Sequence, residues 1–241
     1  MGLLRAMPPG GRPVASWSTV AAPALVLGRS HADPPLDREA IAAAGARVVR
    51  RSSGGGPVLW DAGMLSLDIV LPRGHPLAPD DVVAAYRWLG EAFARALRTC
   101  GVEDAEVVSV ERARRARDRR GAASGACYGG LSPYEVTAGG RKVVGLSQAR
   151  RRPGALLQAG VLMDLDADLL GRMLAAGPDF GHDLRDVATG LHDIDAAIDA
   201  AAVVAAVDAE LARAAGAAPR EDVVTAAERA AIAAAAAEMS A

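Results

Sequence analysis

Aromatic side chains are nearly missing from this chain: three Trp, three Tyr and two Phe stand among 241 residues. Hydrophobic residues make up 51% of the sequence. Much of that fraction is alanine, which buries little area per residue, so Leu, Val and Ile must fill the core. Cysteine is scarcer still. Cys100 and Cys127 are the only two, which excludes a disulfide framework and fits free thiols in a reducing compartment. The histidines, His31, His75, His182 and His192, stand at no metal-ligand spacing with one another or with a cysteine, so no metal site is expected. No apolar run is long enough to span a bilayer, and residues 1–13 lack the apolar core of a signal peptide. These absences predict a cytoplasmic protein with no membrane partner. A strong charge of either sign is also missing. The net charge of −2 argues against a nucleic-acid partner, which calls for a clear basic excess.

What is present alternates between strand and helix signals. Residues 24–28 and 47–51 read as short strands, with an Ala-rich helix over 37–44 between them. Leu65, Leu67, Ile69 and Leu71 alternate with polar residues as a half-buried strand does. Pro79-Asp80-Asp81 opens a helix on which Val82, Tyr86, Leu89, Phe93 and Leu97 share a face, with Gly101 as its C′ residue. Residues 106–110 read as a strand. The run 111–120, ERARRARDRR, has no apolar periodicity and reads as a solvated loop or exposed helical turn; a functional alternative is a flap that attracts an acidic partner or a nucleotide. Strands follow at 134–137, 142–146 and 156–165, the first two joined at Gly139-Gly140 as a hairpin. Asp166 caps a short helix, and Ala-rich helices occupy 195–215 and 221–236. The order predicts an α+β fold with a mixed, largely antiparallel sheet flanked by helices.

Three segments carry candidate chemistry. Arg50-Arg51-Ser52-Ser53-Gly54-Gly55-Gly56 places three glycines in succession, at a cost in backbone entropy. Amides in such a turn form a concave set of donors for an anion, and the arginines add charge. A flexible hairpin loop is the plain alternative. Lys142, in Gly140-Arg141-Lys142-Val143-Val144-Gly145, stands where a strand enters a packed interior, so its ammonium can hold a carboxylate or phosphate rather than sit exposed. Cys127 lies among small residues, Ser124 to Gly130, and becomes a nucleophile if arginine or lysine from the other segments comes near; otherwise it is a small buried hydrophobe. Cys100, at a helix end, reads as structural.

Taken together these residues resemble the lipoate–protein ligase family. Arg50-Arg51-Ser52-Ser53-Gly54-Gly55-Gly56-Pro57-Val58 followed by Asp61-Ala62-Gly63 is similar to the family's glycine motif. Tyr134-Glu135-Val136 and Gly140 to Gln148, with Gly140, Lys142, Gly145 and Gln148 in register, are similar to its second motif. Ala155 to Gly160 resembles the strand after it, and Pro23 to Arg29 is also family-like. The resemblance covers about residues 20–190. It implies a catalytic domain of the biotin/lipoyl ligase type over 1–200, with 201–241 as an Ala-rich helical tail and no full accessory domain. It implies that Arg50, Ser53, Gly54, Gly55, Gly56, Pro57, Val58, Gly145 and Ser147 bind substrate or nucleotide, and that Lys142 holds the acyl carboxyl and phosphate oxygens. The cofactors implied for a ligase are ATP, with Mg2+ as its counter-ion, and lipoate or octanoate. The implied acceptor is a lysine on a lipoyl carrier domain of a 2-oxoacid dehydrogenase or on the glycine cleavage H protein.

Three positions depart from the ligase pattern: Trp60 and Ala159 stand where the ligases commonly carry His, and Met64 where they carry Asn. The strand and helix that precede the first motif are shortened. Cys127-Tyr128 ahead of Tyr134-Glu135 is similar instead to the cysteine-dependent octanoyltransferases of the same superfamily. Those take the acyl group from acyl carrier protein onto the thiol without ATP. The leading expectation is a ligase working through an acyl-adenylate. A Cys127 transferase is the second, and a non-catalytic relative that binds carrier domains is the third.

Overall fold

The computed structural model describes every residue except 9, 30–33, 118–120, 219 and 240–241; His31, the end of the basic run and Pro219 lie outside the described residues. In chain order the elements are α1 (Gly2–Ala6), β1 (Val14–Ser18), β2 (Ala24–Leu27), α2 (Arg38–Ala43), β3 (Arg47–Arg50), β4 (Val58–Trp60) and β5 (Met64–Pro72). A 3-10 turn (Ala84–Tyr86) leads into α3 (Arg87–Thr99), followed by β6 (Glu106–Val107), α4 (Val110–Arg117), β7 (Val136–Ala138), β8 (Arg141–Arg151) and β9 (Gly154–Leu162). The chain closes with α5 (Ala167–Met173), α6 (Phe180–Val187), α7 (Ala200–Ala215) and α8 (Ala226–Met239).

Two sheets form. The larger has six strands in the order β1-β5-β9-β8-β7-β6, every neighbouring pair antiparallel. The smaller has the order β3-β2-β4, with β2 parallel to β3 and antiparallel to β4. The α+β expectation with a mainly antiparallel sheet therefore holds. Leucine and valine do fill the core. Leu67, Leu71, Leu89, Leu97, Leu157, Val143 and Val144 are sealed from solvent around Phe93, the one aromatic ring at the centre.

Local chemistry explains the boundaries. Asp37 and Asp166 accept from the backbone N–H groups of Ala40 and Leu169 at 2.9 and 2.8 Å, capping α2 and α5. Gly139 and Gly140 both take positive φ, 55° and 79°, the pair of angles a two-residue hairpin turn demands. Asp81 accepts from Val83 N and Ala84 N, so its cap serves the 3-10 turn, and Val82 stays outside the helix, 50% exposed.

Several expectations shift. The strand expected over 106–110 ends at Val107, and the basic run becomes α4, anchored by buried Ala113. Arg112 ties α4 to the β7–β8 hairpin by donating to the Gly140 carbonyl at 2.9 Å and Thr137 Oγ1 at 3.2 Å. The strand expected from 134 begins at Val136, because Tyr134 adopts φ 68° and turns the chain first. The helix expected from 195 begins at Ala200, where Asp199 accepts from Ala202 N at 3.0 Å. Helices α1 and α6 and strand β1 carry no signal that the reading of the sequence used.

After residue 200 the chain does two different things. Helix α7 packs on α3 and places Val203 and Val207 in the main core. Helix α8 returns to the N-terminus and packs on α1, where Arg5 pairs with Glu238 at 2.6 Å. No described helix is long and apolar enough to cross a membrane.

Candidate active site

The three chemistry-bearing segments meet at the junction of the two sheets. Strand β3 ends at Arg50, whose guanidinium donates to the Gly28 carbonyl at 2.8 Å. Arg51 follows, its N–H bound to Leu27 O at 2.9 Å. Adjacent residues of a strand point to opposite faces, and Arg51 is the one that turns inward, 9% exposed. The glycine turn then closes over it. Gly55 sits at φ 110°, and a Cβ there would lie 2.3 Å from Arg51 Nη2. A Cβ on Gly28 would lie 1.8 Å from the Gly55 carbonyl oxygen, so the turn is pressed onto β2.

The turn also grips the segment that carries Cys127. A Cβ on Gly56 would stand 2.0 Å from the Gly125 carbonyl oxygen, and Cys127 N donates to the Pro57 carbonyl at 2.8 Å. Val58 continues into β4 as a buried residue. Cys127 is half-buried. Arg51 Nη2 lies 3.8 Å from its sulfur and 3.3 Å from the Gly56 carbonyl, donating to both. Arg51 Nε is buried with no hydrogen-bond partner. The amides of Gly54, Gly55 and Gly56 donate to no carbonyl among the described residues.

Lys142 approaches from the other side. It is 1% exposed, on β8. Its ammonium donates to the carbonyls of Cys127 at 2.7 Å and Gly130 at 3.2 Å and pairs with Glu135 Oε1 at 2.7 Å. All three ammonium donors are thus engaged, and Nζ stands 5.0 Å from the Tyr128 ring centroid. Glu135 is itself held, accepting from Ser132 N at 2.7 Å and Leu146 N at 3.3 Å.

Two further glycines make room for Tyr128. Gly145 and Gly160 face each other across β8 and β9. A Cβ on either would stand 3.2 or 2.8 Å from the tyrosine ring or hydroxyl. The phenol donates to the Gly160 carbonyl at 2.7 Å, and burial pushes its pKa well above the ordinary value. Below the ring a cavity of about 20 Å³ is lined by Val58, Leu59, Leu162 and Leu170 among others, space for one water-sized group.

Ser53 and Ser147 join a polar bridge between the sheets. Ser53 Oγ donates to Gln158 Oε1 at 3.1 Å, Ser147 Oγ lies 3.4 Å from Ser53 Oγ, and Gln158 Nε2 donates to Asp68 Oδ1 at 2.8 Å. Loss of hydration raises the Asp68 carboxyl above its usual range, against the lowering effect of the Gln158 amide.

The structure therefore brings together Cys127, Lys142, Ser53, Ser147, Gly145 and the turn from Gly54 to Val58. Arg50 lies at the edge of this group, on Gly28. Arg51, Glu135, Tyr128 and Gln158, which lie within the motif segments or next to them, join the site as well. The period-two alternation of β3 was the available signal for choosing between the arginines, but both faces of that strand carry the same side chain.

Known proteins place this arrangement in context. A profile of the lipoyl protein ligase A/B catalytic domain matches residues 3–214. The octanoyltransferase LipM of Kyrpidia tusciae is 36% identical over 154 residues, 63% of this chain and 55% of that protein. LipM of Geobacillus kaustophilus is 33% identical over 150 residues, 61% and 53% of the two chains. The chain thus spans about half the length of the curated relatives it matches. Among solved structures, a lipoate–protein ligase A bound with ATP superposes with a TM-score of 0.73 at 21% identity, covering 95% of this chain and 83% of that one. A chain from the bi-partite lipoate protein ligase and E2 lipoyl domain of Thermoplasma acidophilum gives 0.73 at 19% identity, covering 95% and 82%. At that identity the likeness speaks to the fold.

Proposed function

Because the chain belongs to the lipoyl protein ligase A/B catalytic-domain family, we propose that it transfers an octanoyl group from acyl carrier protein to a lysine of a lipoyl carrier domain through a thioester on Cys127. The observation that carries this reading is the setting of Cys127: a half-buried residue whose sulfur lies 3.8 Å from a guanidinium. Its own backbone is fixed by Pro57 on one side and by Lys142 on the other. A free structural cysteine needs neither the cation nor the clamps. Relatives carrying the name octanoyltransferase support the same choice.

In this reaction the thiol proton passes to solvent and the thiolate attacks the acyl carbonyl carbon. A new C–S bond forms, the bond to the carrier's sulfur breaks, and the carrier thiolate leaves and takes up a proton from solvent. The neutral amine of the target lysine then attacks the Cys127 thioester, a C–N bond forms, the C–S bond breaks and the amine's proton goes to solvent. Negative charge develops on the acyl oxygen at both steps, and the amides of the glycine turn are donors suited to hold it. Lys142 orients the nucleophile through its carbonyl and that of Gly130, with Glu135 as counter-charge. The cytoplasm, where acyl carriers and lipoyl domains are reduced and soluble, suits a free-thiol mechanism.

One observation favours the acyl-adenylate route as a second reading: the amides of Gly54, Gly55 and Gly56, which donate to no carbonyl among the described residues, suit a phosphate of ATP as well as an oxyanion. In that route ATP with Mg2+ activates free lipoate or octanoate, and Cys127 takes no covalent part. The two are separated by incubating the protein with an apo lipoyl domain and either octanoyl carrier protein, or ATP, Mg2+ and free acid, followed by mass spectrometry. The thioester reading expects octanoylation from the carrier alone and a hydroxylamine-labile adduct on Cys127. Cys127→Ser should lose transfer by roughly a thousandfold or more. Wild-type rates in Cys127→Ser, or modification that requires ATP, would sink it. No modification from either donor would leave a carrier-domain-binding protein.

A further inference from the structure

The basic run on α4 takes no part in the chemistry above. Residues 111–117 hold four arginines and one glutamate in a chain whose net charge is −2. One of the arginines is engaged within the molecule. Arg112 donates to Thr137 Oγ1 at 3.2 Å and to the Gly140 carbonyl at 2.9 Å, and lies 3.5 Å from Glu106. Arg114, Arg115 and Arg117 are exposed, and no carboxylate among the described residues pairs with any of them. Glu111 stands three and four residues before Arg114 and Arg115, the spacing at which a helix joins opposite charges. It still takes neither.

Three unpaired cations so close together repel one another, and the helix dipole accounts for a cation in the last turn but not for three. A solvated face is the ordinary setting of a charge run, but this one is mounted firmly beside the site. Ala113 is 1% exposed, and Arg112 fastens the helix to the β7–β8 hairpin two residues ahead of Lys142. The segment 121–130, which carries Cys127, follows α4 in the chain. A fixed cluster of one sign at the border of a site steers a partner of the opposite sign toward it. A nucleotide phosphate matches this cluster poorly. The three arginines occupy the C-terminal half of the helix, whose dipole repels anions and which offers no free backbone N–H groups. A broad acidic protein face can spread its charge over all three.

We infer that Arg114, Arg115 and Arg117 form the docking surface for the acyl donor, a carrier domain that presents an acidic face and delivers its acyl group on a flexible thioester arm. Its catalytic meaning rests on the transferase reading above. Reach decides for the donor over the acceptor. Arg114 and Arg115 lie about 100° and 200° round the helix from the buried Ala113, so the thickness of a helix, about 10 Å, separates a partner seated there from the hairpin. The side chain of a target lysine is shorter than that, and its domain has to sit directly over Cys127. A thioester arm spans the gap.

Steady-state transfer from octanoyl carrier protein to an apo lipoyl domain tests this on the full chain. Arg114→Gln, Arg115→Gln and Arg117→Gln together should raise KM for the octanoyl carrier about tenfold at low salt and leave kcat within about twofold. Lysine at the same three positions should stay near the parent, because charge is what the surface supplies. Salt at about 0.5 M should weaken the parent toward the triple Gln variant and change that variant little. Octanoyl-pantetheine, which has the arm without the domain, should serve both proteins equally, and KM for the lipoyl domain should not move. An unmoved carrier KM, an equal loss with octanoyl-pantetheine, or a rise confined to the lipoyl-domain KM would overturn the inference. If the triple variant does not fold, the parent decides: a carrier KM indifferent to salt overturns the inference, and one that rises with salt while octanoyl-pantetheine turnover stays level supports it. Carrier binding followed by fluorescence anisotropy separates docking from chemistry. A carrier Kd that weakens about tenfold in the triple variant, with no octanoyl transfer by any of the proteins, removes only the transferase reading. Normal transfer beside a carrier Kd that the variant leaves unchanged removes only the docking surface.

Discussion

Lys142 and Glu135 form an ion pair whose side chains are 2% and 3% exposed, and a pair so deeply placed is more informative when broken than when counted. Removing one charge strands the other in a low-dielectric interior, at a cost of about 3–5 kcal/mol. Glu135→Gln keeps the shape and acceptor oxygen but strands the ammonium, so a drop of that size is expected in the unfolding free energy measured in urea. Glu135→Gln combined with Lys142→Met removes both charges and should recover part of the loss, while still leaving the Cys127 and Gly130 carbonyls without their donor. A double variant less stable than the single one would show that the ammonium is held by the carbonyls and not by the carboxylate. Lys142 and Cys127 were legible in the sequence because they sit in spaced motifs. Glu135 was visible only as a neighbour, because the strained φ of Tyr134 that turns its carboxylate inward leaves no mark in composition or period.

The three glycines of the turn are chemically identical in the sequence and unequal in the fold. Nothing lies within 4 Å of a Cβ placed on Gly54, and its φ is not positive. Gly54→Ala should therefore leave thermal stability near the parent's or raise it by a few tenths of a kcal/mol, through reduced freedom of the unfolded chain. Gly56→Ala drives a methyl to 2.0 Å from the Gly125 carbonyl oxygen. Backbone cannot swing aside as a side-chain end can, so the Cys127 segment must shift and the protein should lose about 2 kcal/mol or more. Calorimetric melting of the two variants checks the ranking, and equal Tm values would show that the turn does not clamp that segment. At this scale the regular elements were readable wherever one signal dominated. The apolar period of α3, the alternation in β5 and the paired glycines of the β7–β8 hairpin each carry their own geometry. Helix α4 was readable only as one of two options, a loop or an exposed helical turn, because only Ala113 anchors it. Strand β1 was not readable because its shape comes from pairing with β5, a partner about fifty residues away in the chain.

Across the whole molecule, the stretch after residue 200 looks uniform in sequence, an alanine-rich pair of helices, yet its two halves have different contact partners. Val203 and Val207 on α7 are 0% exposed in the main core, and burial of side chains of this kind contributes about 1.5–3 kcal/mol each. Glu210 on the same helix, 6% exposed, is paired with Arg95 and Arg213 at 2.7 Å, and Trp17 on β1 donates to Asp208 at 2.9 Å. Helix α8 buries only Ala235 among its described side chains. It meets α1 where Gly2 lets the backbones touch: a Cβ there would lie 2.4 Å from Ile232 Cα. We accordingly divide the stretch into a core helix and an appendage. Ending the chain after Ala217 removes α8 and should leave a folded protein with a modestly lower Tm. Ending it after Asp199 removes α7, strips the covering from α3 and unpairs Arg95 and Trp17. With a total stability of about 5–15 kcal/mol for a domain, that loss should leave no cooperative unfolding transition in urea. A cooperative transition in the shorter chain would mean that α7 rests on a core already complete without it.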